Sequence, residues 1–418
     1  MSSTPLTVRH PSKAIKGTVQ LTGSKSESNR ALIIQALSRG AVKVENLSAA
    51  ADTVIMNKAL ALVDTSRETE ETVMVDIGPA GTAMRFLTSY LNLAEGNFIL
   101  TGTERMQQRP IGILVDALKT VGAAIDYEKK SGFPPLKIKG GMAQEKQRVS
   151  IQGNVSSQYL SSLLLIAASL EQGLVLEIAG ELTSKPYVTM TLDMLQEAGI
   201  THTWTDNTIE ISPQEFKPTT IYVEPDWSAA SYWYAIVALS EEGKVVLPGL
   251  KAHSLQGDIA IMEMMTHFGV ASSFQENGLH IAKVNQGSDK VLFDFKGCPD
   301  LAQTIVALAA AVRRDISITG VETLKIKETD RLSALKNELE KFGATIVADG
   351  ETYHVKTKEA YAPNRITFDT YEDHRMAMAF APLAMIFDEV TINDPIVVEK
   401  SYPDFWSHLR QQGFLISG

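Results

Sequence analysis

Apolar positions along the chain fall into two helical patterns, and each pattern recurs six times. The first is an amphipathic helix, apolar at three- and four-residue spacings, that stops at a glycine and passes straight into a short strand. It reads V-D-A-L-K-T-V-G-A-A-I-D-Y at 115–127 and L-D-M-L-Q-E-A-G-I-T-H-T-W at 192–204. It returns as I-M-E-M-M-T-H-F-G-V-A-S-S-F at 261–274, L-K-N-E-L-E-K-F-G-A-T-I-V at 335–347 and W-S-H-L-R-Q-Q-G-F-L-I at 406–416. The stops, Gly122, Gly199, Gly269, Gly343 and Gly413, lie 70 to 77 residues apart. Each suits the left-handed residue that follows a helix end. A degenerate sixth copy occupies M-N-K-A-L-A-L-V-D at 56–64, with Asp64 standing in for the glycine.

The second pattern is apolar nearly all round. Its starts are S-E-S-N-R-A-L-I-I, G-T-A-M-R-F-L-T, S-S-Q-Y-L-S-S-L-L-L, D-W-S-A-A-S-Y-W-Y, D-L-A-Q-T-I-V-A-L and D-H-R-M-A-M-A-F. Each opens on Ser, Asp or Gly-Thr, which supply helix N-caps, and each leads to an alternating strand such as V-K-V-E-N-L, F-I-L-T-G or I-S-I-T-G. A helix without a polar face belongs inside, with the amphipathic set covering it. The fold class predicted is α/β, a βαβα-type unit of about 70 residues repeated six times. Six units in 418 residues predict two domains of three, with a break near Pro225-Asp226. The strand before Gly23 is open to either domain. Helix–glycine–strand junctions occur in any α/β protein; the near-regular intervals are what distinguish this chain.

Composition narrows the class. A content of 44% hydrophobic and 21% charged residues is that of a soluble globular protein, and a net charge of −10 argues against a general nucleic-acid binder. The single Cys298 excludes an internal disulfide and fits a reducing compartment. The N-terminus M-S-S-T-P-L-T-V-R-H-P has no apolar signal region. The most apolar helix, Leu160–Leu170, carries serines and is far short of the roughly 20 residues a bilayer span needs. The expectation is a cytoplasmic protein.

Cations stand beside the helix starts. Lys25 and Arg30 flank the first apolar helix, in G-S-K-S-E-S-N-R, and Arg109 sits in Q-Q-R-P-I-G. Lys327 and Arg331 lie in K-I-K-E-T-D-R-L, four apart and so on one face if the turn is helical. Arg375 follows in E-D-H-R, and Lys400 in E-K-S-Y-P. Helix N-termini carry unpaired N–H groups and about half a positive charge, and cations placed there repel unless an anion offsets them. Taken singly, each motif reads equally well as a capped helix start or a solvated charge run. Taken together they point to a cleft that seeks anions.

The motifs G-S-K-S-E-S-N-R-A-L, A-G-T-A-M-R, R-P-I-G-x-L-V-D-A-L, S-S-Q-Y-L, S-K-P-Y, K-E-T-D-R and D-H-R-M-A-M-A, in this order from residue 23 onward, resemble the 3-phosphoshikimate 1-carboxyvinyltransferase (EPSP synthase) family. The resemblance covers nearly the whole chain. It implies an enolpyruvyl transferase-like fold of six βαβαββ-type repeats, three per domain, with helix N-termini facing an interdomain cleft. Residues 22–226 would form the N-terminal domain, and residues 1–21 with 227–418 the C-terminal one. The implied reaction moves the enolpyruvyl group of phosphoenolpyruvate (PEP) onto the 5-hydroxyl of shikimate 3-phosphate and releases phosphate. It uses no cofactor or metal. The implied partners are these two substrates alone, with no nucleic acid or membrane, and the implied state is a monomer.

Carried over by position, the resemblance makes Lys25, Asp300 and Glu328 catalytic. Lys25 would bridge the substrates and help phosphate leave; Asp300 would take the proton of the 5-hydroxyl; Glu328 would protonate C3 of PEP. Ser26, Arg30, Ser156, Ser157, Ser184 and Tyr187 would hold the shikimate moiety, with Lys327 near it, and Gln158 would touch both substrates. Gly81, Arg109, Arg331, Arg375 and Lys400 would bind PEP. Loss of the Arg331 side chain is expected to lower turnover severely and leave the fold intact. Three positions depart from the family pattern: Pro79, Phe86 and Thr323. They bear on local substrate contacts rather than on the reaction. A rival of the same fold acts on UDP-N-acetylglucosamine and commonly uses a cysteine on an N-terminal loop, whereas Cys298 lies beside Asp300. A repeat-built clamp is the non-enzymatic alternative, and it gives no reason for carboxylates among the cations.

Overall fold

Four of the five four-stranded sheets among the described residues are assembled in the same way. Strand Thr72–Asp76 pairs in parallel with Asn97–Thr101, which pairs antiparallel with Leu136–Lys139, which closes a hairpin with Ala124–Tyr127. The same parallel pair followed by a hairpin recurs in Arg148–Gln152, Leu174–Ala179, Thr208–Ile211 and Thr203–Thr205. It recurs again in Leu292–Asp294, Ile316–Thr319, Thr352–Lys356 and Thr345–Asp349. The computed structural model describes residues 4–66, 71–284, 287 and 291–418. Among them lie six sheets, five of four strands and one, Thr219–Tyr222 with Val42–Glu45, of two.

Contacts divide the chain into two units: Met1–Thr22 with Glu224–Gly418, and Gly23–Val223. The N-terminal strands are split between two sheets of the first unit. Ala14–Thr18 runs parallel to Glu242–Leu247, while Leu6–Arg9 lies between Glu389–Ile392 and the last strand, Leu415–Ser417. The sheet at the end of the sequence is therefore completed by its beginning.

The apolar helices form the core. Every residue from Gly81 to Asn92 is buried, as is all of Trp227–Leu239 except Ser228. Helices Lys25–Leu37, Gly81–Leu93 and Ser157–Ala167 pack on one another in the second unit. In the first, Ala302–Ala311 packs against both Trp227–Leu239 and His374–Phe380. The five predicted glycine stops hold φ values of 123°, 87°, 72°, 82° and 94° at Gly122, Gly199, Gly269, Gly343 and Gly413. There a side chain would strain the backbone. The degenerate copy differs: helix Ala51–Thr65 runs past Asp64, which ends nothing because Asp has no such preference for a left-handed stop. No described helix is long and apolar enough to cross a membrane.

Candidate active site

In each unit the starts of the three apolar helices are tied together by side chains. In Gly23–Val223 the tie is Arg30. Its Nε donates to Thr191 Oγ1 at 2.7 Å, Nη1 to the Ser26 carbonyl at 2.8 Å, and Nη2 to Ser161 Oγ at 3.0 Å and the Tyr187 carbonyl at 3.2 Å. The guanidinium also lies 5.4 Å from the Phe86 ring centroid and 5.9 Å from that of Tyr187. Phe86 thus closes the apolar wall behind a buried cation. Burial lowers the Arg30 pKa to about 10, so the group is still protonated at neutral pH. Every hydrogen bond it makes here is to a neutral oxygen.

The predicted residues around Arg30 come together. Ser24 caps helix Lys25–Leu37, and Lys25 Nζ lies 3.6 Å from the buried Asp52. Ser156 caps the helix that begins at Ser157, where Ser161 lies one turn on. Ser184 is buried in a left-handed conformation, φ 54°, before the helix that carries Tyr187. A second group joins the starts of the other two helices: Gln158 Nε2 donates to Thr82 Oγ1 at 3.2 Å. Beside Thr82, a Cβ built on Gly81 would meet Arg109 Nη1 at 2.6 Å. Arg109 therefore lies against the N-terminal turn of helix Gly81–Leu93, and it forms no ion pair among the described residues. A cation over free helix N–H groups is an anion site in waiting.

In the other unit three helix starts meet through carboxylates and arginines. Arg331 is buried and donates Nε to Asp373 Oδ2 at 2.6 Å, Nη1 to Asp300 Oδ1 at 3.1 Å and Nη2 to Glu328 Oε2 at 3.0 Å. Arg375 Nη2 donates to Asp300 Oδ2 at 2.7 Å and to Ser228 Oγ at 3.4 Å, and Nη1 to Tyr232 Oη at 3.2 Å. Lys400 Nζ pairs with Glu328 Oε1 at 2.9 Å. Burial works against the charge of Arg331, but Asp373, Glu328 and Asp300 more than offset it and raise its pKa. Lys327 is pulled down, chiefly by burial, with Asp300 opposing and Arg331 assisting.

Two local expectations fail. Lys327 and Arg331 do not share a helical face: Glu322–Ile326 is a 3-10 turn and the helix starts at Arg331, because Asp330 caps Ser333 there. Asp300 does not cap its helix either. It sits inside the 3-10 turn Pro299–Leu301, with its carboxylate drawn to the two arginines. Arg331 is buried, and its removal would leave Asp373 without a cation while Asp300 keeps Arg375 and Glu328 keeps Lys400.

Sequence reasoning missed Asp52, Thr82, Ser228, Tyr232 and Asp258 as members of these clusters. Asp373 was legible only as a helix cap, which it is, to the Arg375 N–H at 2.9 Å. Asp258 is buried and bonded to Ser228, and burial together with repulsion from Asp300 pushes its pKa up to about 7. Burial also raises the thiol of Cys298, which is 3% exposed. Among the described residues no set of His, Cys, Asp and Glu is grouped to hold a metal ion.

Buried arginines sharing carboxylates, and cations set over helix starts, suit small molecules bearing both phosphate and carboxylate. Comparison with known proteins gives the same direction. The family model for EPSP synthase (3-phosphoshikimate 1-carboxyvinyltransferase) matches residues 9–409. The 3-phosphoshikimate 1-carboxyvinyltransferase of Bacteroides fragilis (strain YCH46) is 46% identical over 409 residues, 96% of each chain. That of Vibrio campbellii is 37% identical over 423 residues, covering 96% of this chain and 97% of its own. The EPSP synthase structure from Acinetobacter baumannii superposes with a TM-score of 0.78 at 20% identity, over 99% of this chain and 100% of that one, and so shares the two-domain repeat fold. The chain belongs to the EPSP synthase, or 3-phosphoshikimate 1-carboxyvinyltransferase, family.

Proposed function

We propose that this protein transfers the enolpyruvyl group of PEP to the 5-hydroxyl of shikimate 3-phosphate, in the shikimate route to aromatic amino acids. The observation that carries the assignment of roles is Asp300 held by two arginines, with Glu328 on the same Arg331. The C–O bond forms when the 5-hydroxyl oxygen attacks C2 of PEP, loses its proton to Asp300, and C3 takes a proton from Glu328. The tetrahedral adduct then returns a C3 proton to Glu328, by now a carboxylate, and expels phosphate, whose departing charge meets Lys25.

Glu328 is paired with Arg331 and Lys400, the two cations that the carboxylate and phosphate of PEP would also meet. Arg109, Arg375 and the helix start at Gly81 complete the PEP contacts. Arg30, Ser26, Ser156, Ser157, Ser184, Tyr187, Gln158 and Lys327 act on shikimate 3-phosphate. The protein acts as a cytoplasmic monomer, which light scattering at the single-chain mass checks.

The rival substrate, UDP-N-acetylglucosamine, draws no support from the thiol, which is buried and held protonated. Phosphate release is the test. It is expected from PEP with shikimate 3-phosphate and not from PEP with UDP-N-acetylglucosamine; silence in the first mixture overturns the assignment.

A further inference from the structure

Asp373 and Arg375 are delivered by a turn whose backbone is disfavoured. Tyr371 and Glu372, side by side, hold φ values of 54° and 56°, and neither is a glycine. Residues with a Cβ enter this region singly and rarely, and persist there only when their surroundings impose it. What imposes it is helix Arg331–Glu340. At its first residue Arg331 grips the Asp373 carboxylate by Nε at 2.6 Å and Nη2 at 3.3 Å. Two turns later, on the same face, the fully buried Glu338 grips the other end of the segment. Its Oε1 accepts from Tyr371 Oη at 2.7 Å, and its Oε2 from the Asp369 N–H at 3.0 Å and Lys341 Nζ at 2.6 Å. The substrate-side arginine and a carboxylate remote from it thus clamp one five-residue turn.

We propose that Glu338 is a positioning residue for PEP: through Tyr371 it holds the left-handed turn that aims Asp373 and Arg375. A buried carboxylate with three donors would serve stability wherever it stood. Here one partner is the hydroxyl of Tyr371, itself one of the two strained residues, and another is the backbone N–H of Asp369 just before them, which ties the charge to the placement of the anion-binding arginine. The inference rests on the proposed role of Arg375 toward PEP.

The test is Tyr371→Phe, which removes only the hydroxyl, compared with Tyr361→Phe. Tyr361 donates its hydroxyl to the Lys341 carbonyl at 3.0 Å, a bond to the end of the same helix but away from the turn. Tyr371→Phe is expected to raise the KM for PEP about tenfold, with kcat and the KM for shikimate 3-phosphate within about twofold of wild type. Glu338→Gln, which keeps one acceptor for Tyr371, should give a smaller rise in the same constant. Tyr361→Phe should change none of the three. A KM for PEP unchanged in Tyr371→Phe, or raised equally in Tyr361→Phe, overturns the proposal. Absence of turnover in the wild-type protein instead overturns the assigned reaction. In that case PEP affinity measured by calorimetry in the same variants decides the positioning role, weaker binding in Tyr371→Phe alone supporting it and equal binding in all overturning it.

Discussion

The Nε of Arg331 donates to Oδ2 of Asp373 at 2.6 Å, with both side chains withdrawn from water. Such a pair holds only while both members are present, because a lone charge left in the interior costs about 3–5 kcal/mol. Asp373→Ala leaves Arg331 with Asp300 and Glu328, so it should destabilise the protein by less than that, about 1–3 kcal/mol in urea unfolding. Arg331→Ala should do so at least as strongly, as it leaves the buried Asp373 without its cation while Asp300 keeps Arg375 and Glu328 keeps Lys400. A loss well under about 1 kcal/mol for either would show that the pair is not closed to solvent.

Arg30 presents the opposite case, a buried cation whose hydrogen-bond acceptors are all neutral. Arg30→Gln removes that charge and keeps two donors. Its melting temperature should fall little or rise, by about 2 °C either way, while the KM for shikimate 3-phosphate rises on the order of a hundredfold. A large loss of stability with an unchanged KM would place Arg30 in the scaffold alone.

Asp258 predicts a pH dependence. Its pKa is raised from 3.8 to about 7 by burial and by Asp300. Between those values the folded chain keeps a proton that the unfolded chain releases, so this group favours folding fully only at low pH and loses that contribution as pH rises toward about 7. Asp258→Asn should remove the slope. Relative to wild type it should gain stability between about pH 5 and pH 8, with an upper bound on the order of 3 kcal/mol. Chemical denaturation at the two pH values reads this directly, and an equal difference at both contradicts it.

Gly81→Ala should leave the fold intact and weaken PEP binding. The added Cβ meets the Arg109 guanidinium at 2.6 Å, and that guanidinium is the movable end of a long side chain. The arginine yields and swings off the helix start. The expected result is a KM for PEP up by about tenfold or more with kcat changed less. The check is steady-state kinetics beside Arg109→Lys, which should shift the same constant.

The repeats and their stops were legible because a helix terminator with positive φ leaves a glycine in the sequence, as at Gly122 and Gly413. The charged groups were legible because Lys327, Glu328 and Arg331 fall within one short motif, next to a helix start. Asp258 and Ser228 were not, since nothing local marks them. They join Asp300 and Arg375 only when helix starts far apart in sequence are packed together. The condition placed on Lys327 and Arg331, that the turn between them be helical, is not met for a local reason: the Asp330 side chain caps the helix at Ser333, so that helix starts only at Arg331.

Strand Leu6–Arg9 lies between Glu389–Ile392 and Leu415–Ser417. It is synthesised long before both of the strands that flank it. The stretch from Gly23 to Val223 is continuous and holds its own sheets, so it can mature while the remainder is still being translated. The opening strand must wait, unpaired, for nearly four hundred residues of synthesis. A cell making this protein carries that exposed edge on every nascent chain, and slowed elongation lengthens the interval in which a chaperone has to cover it.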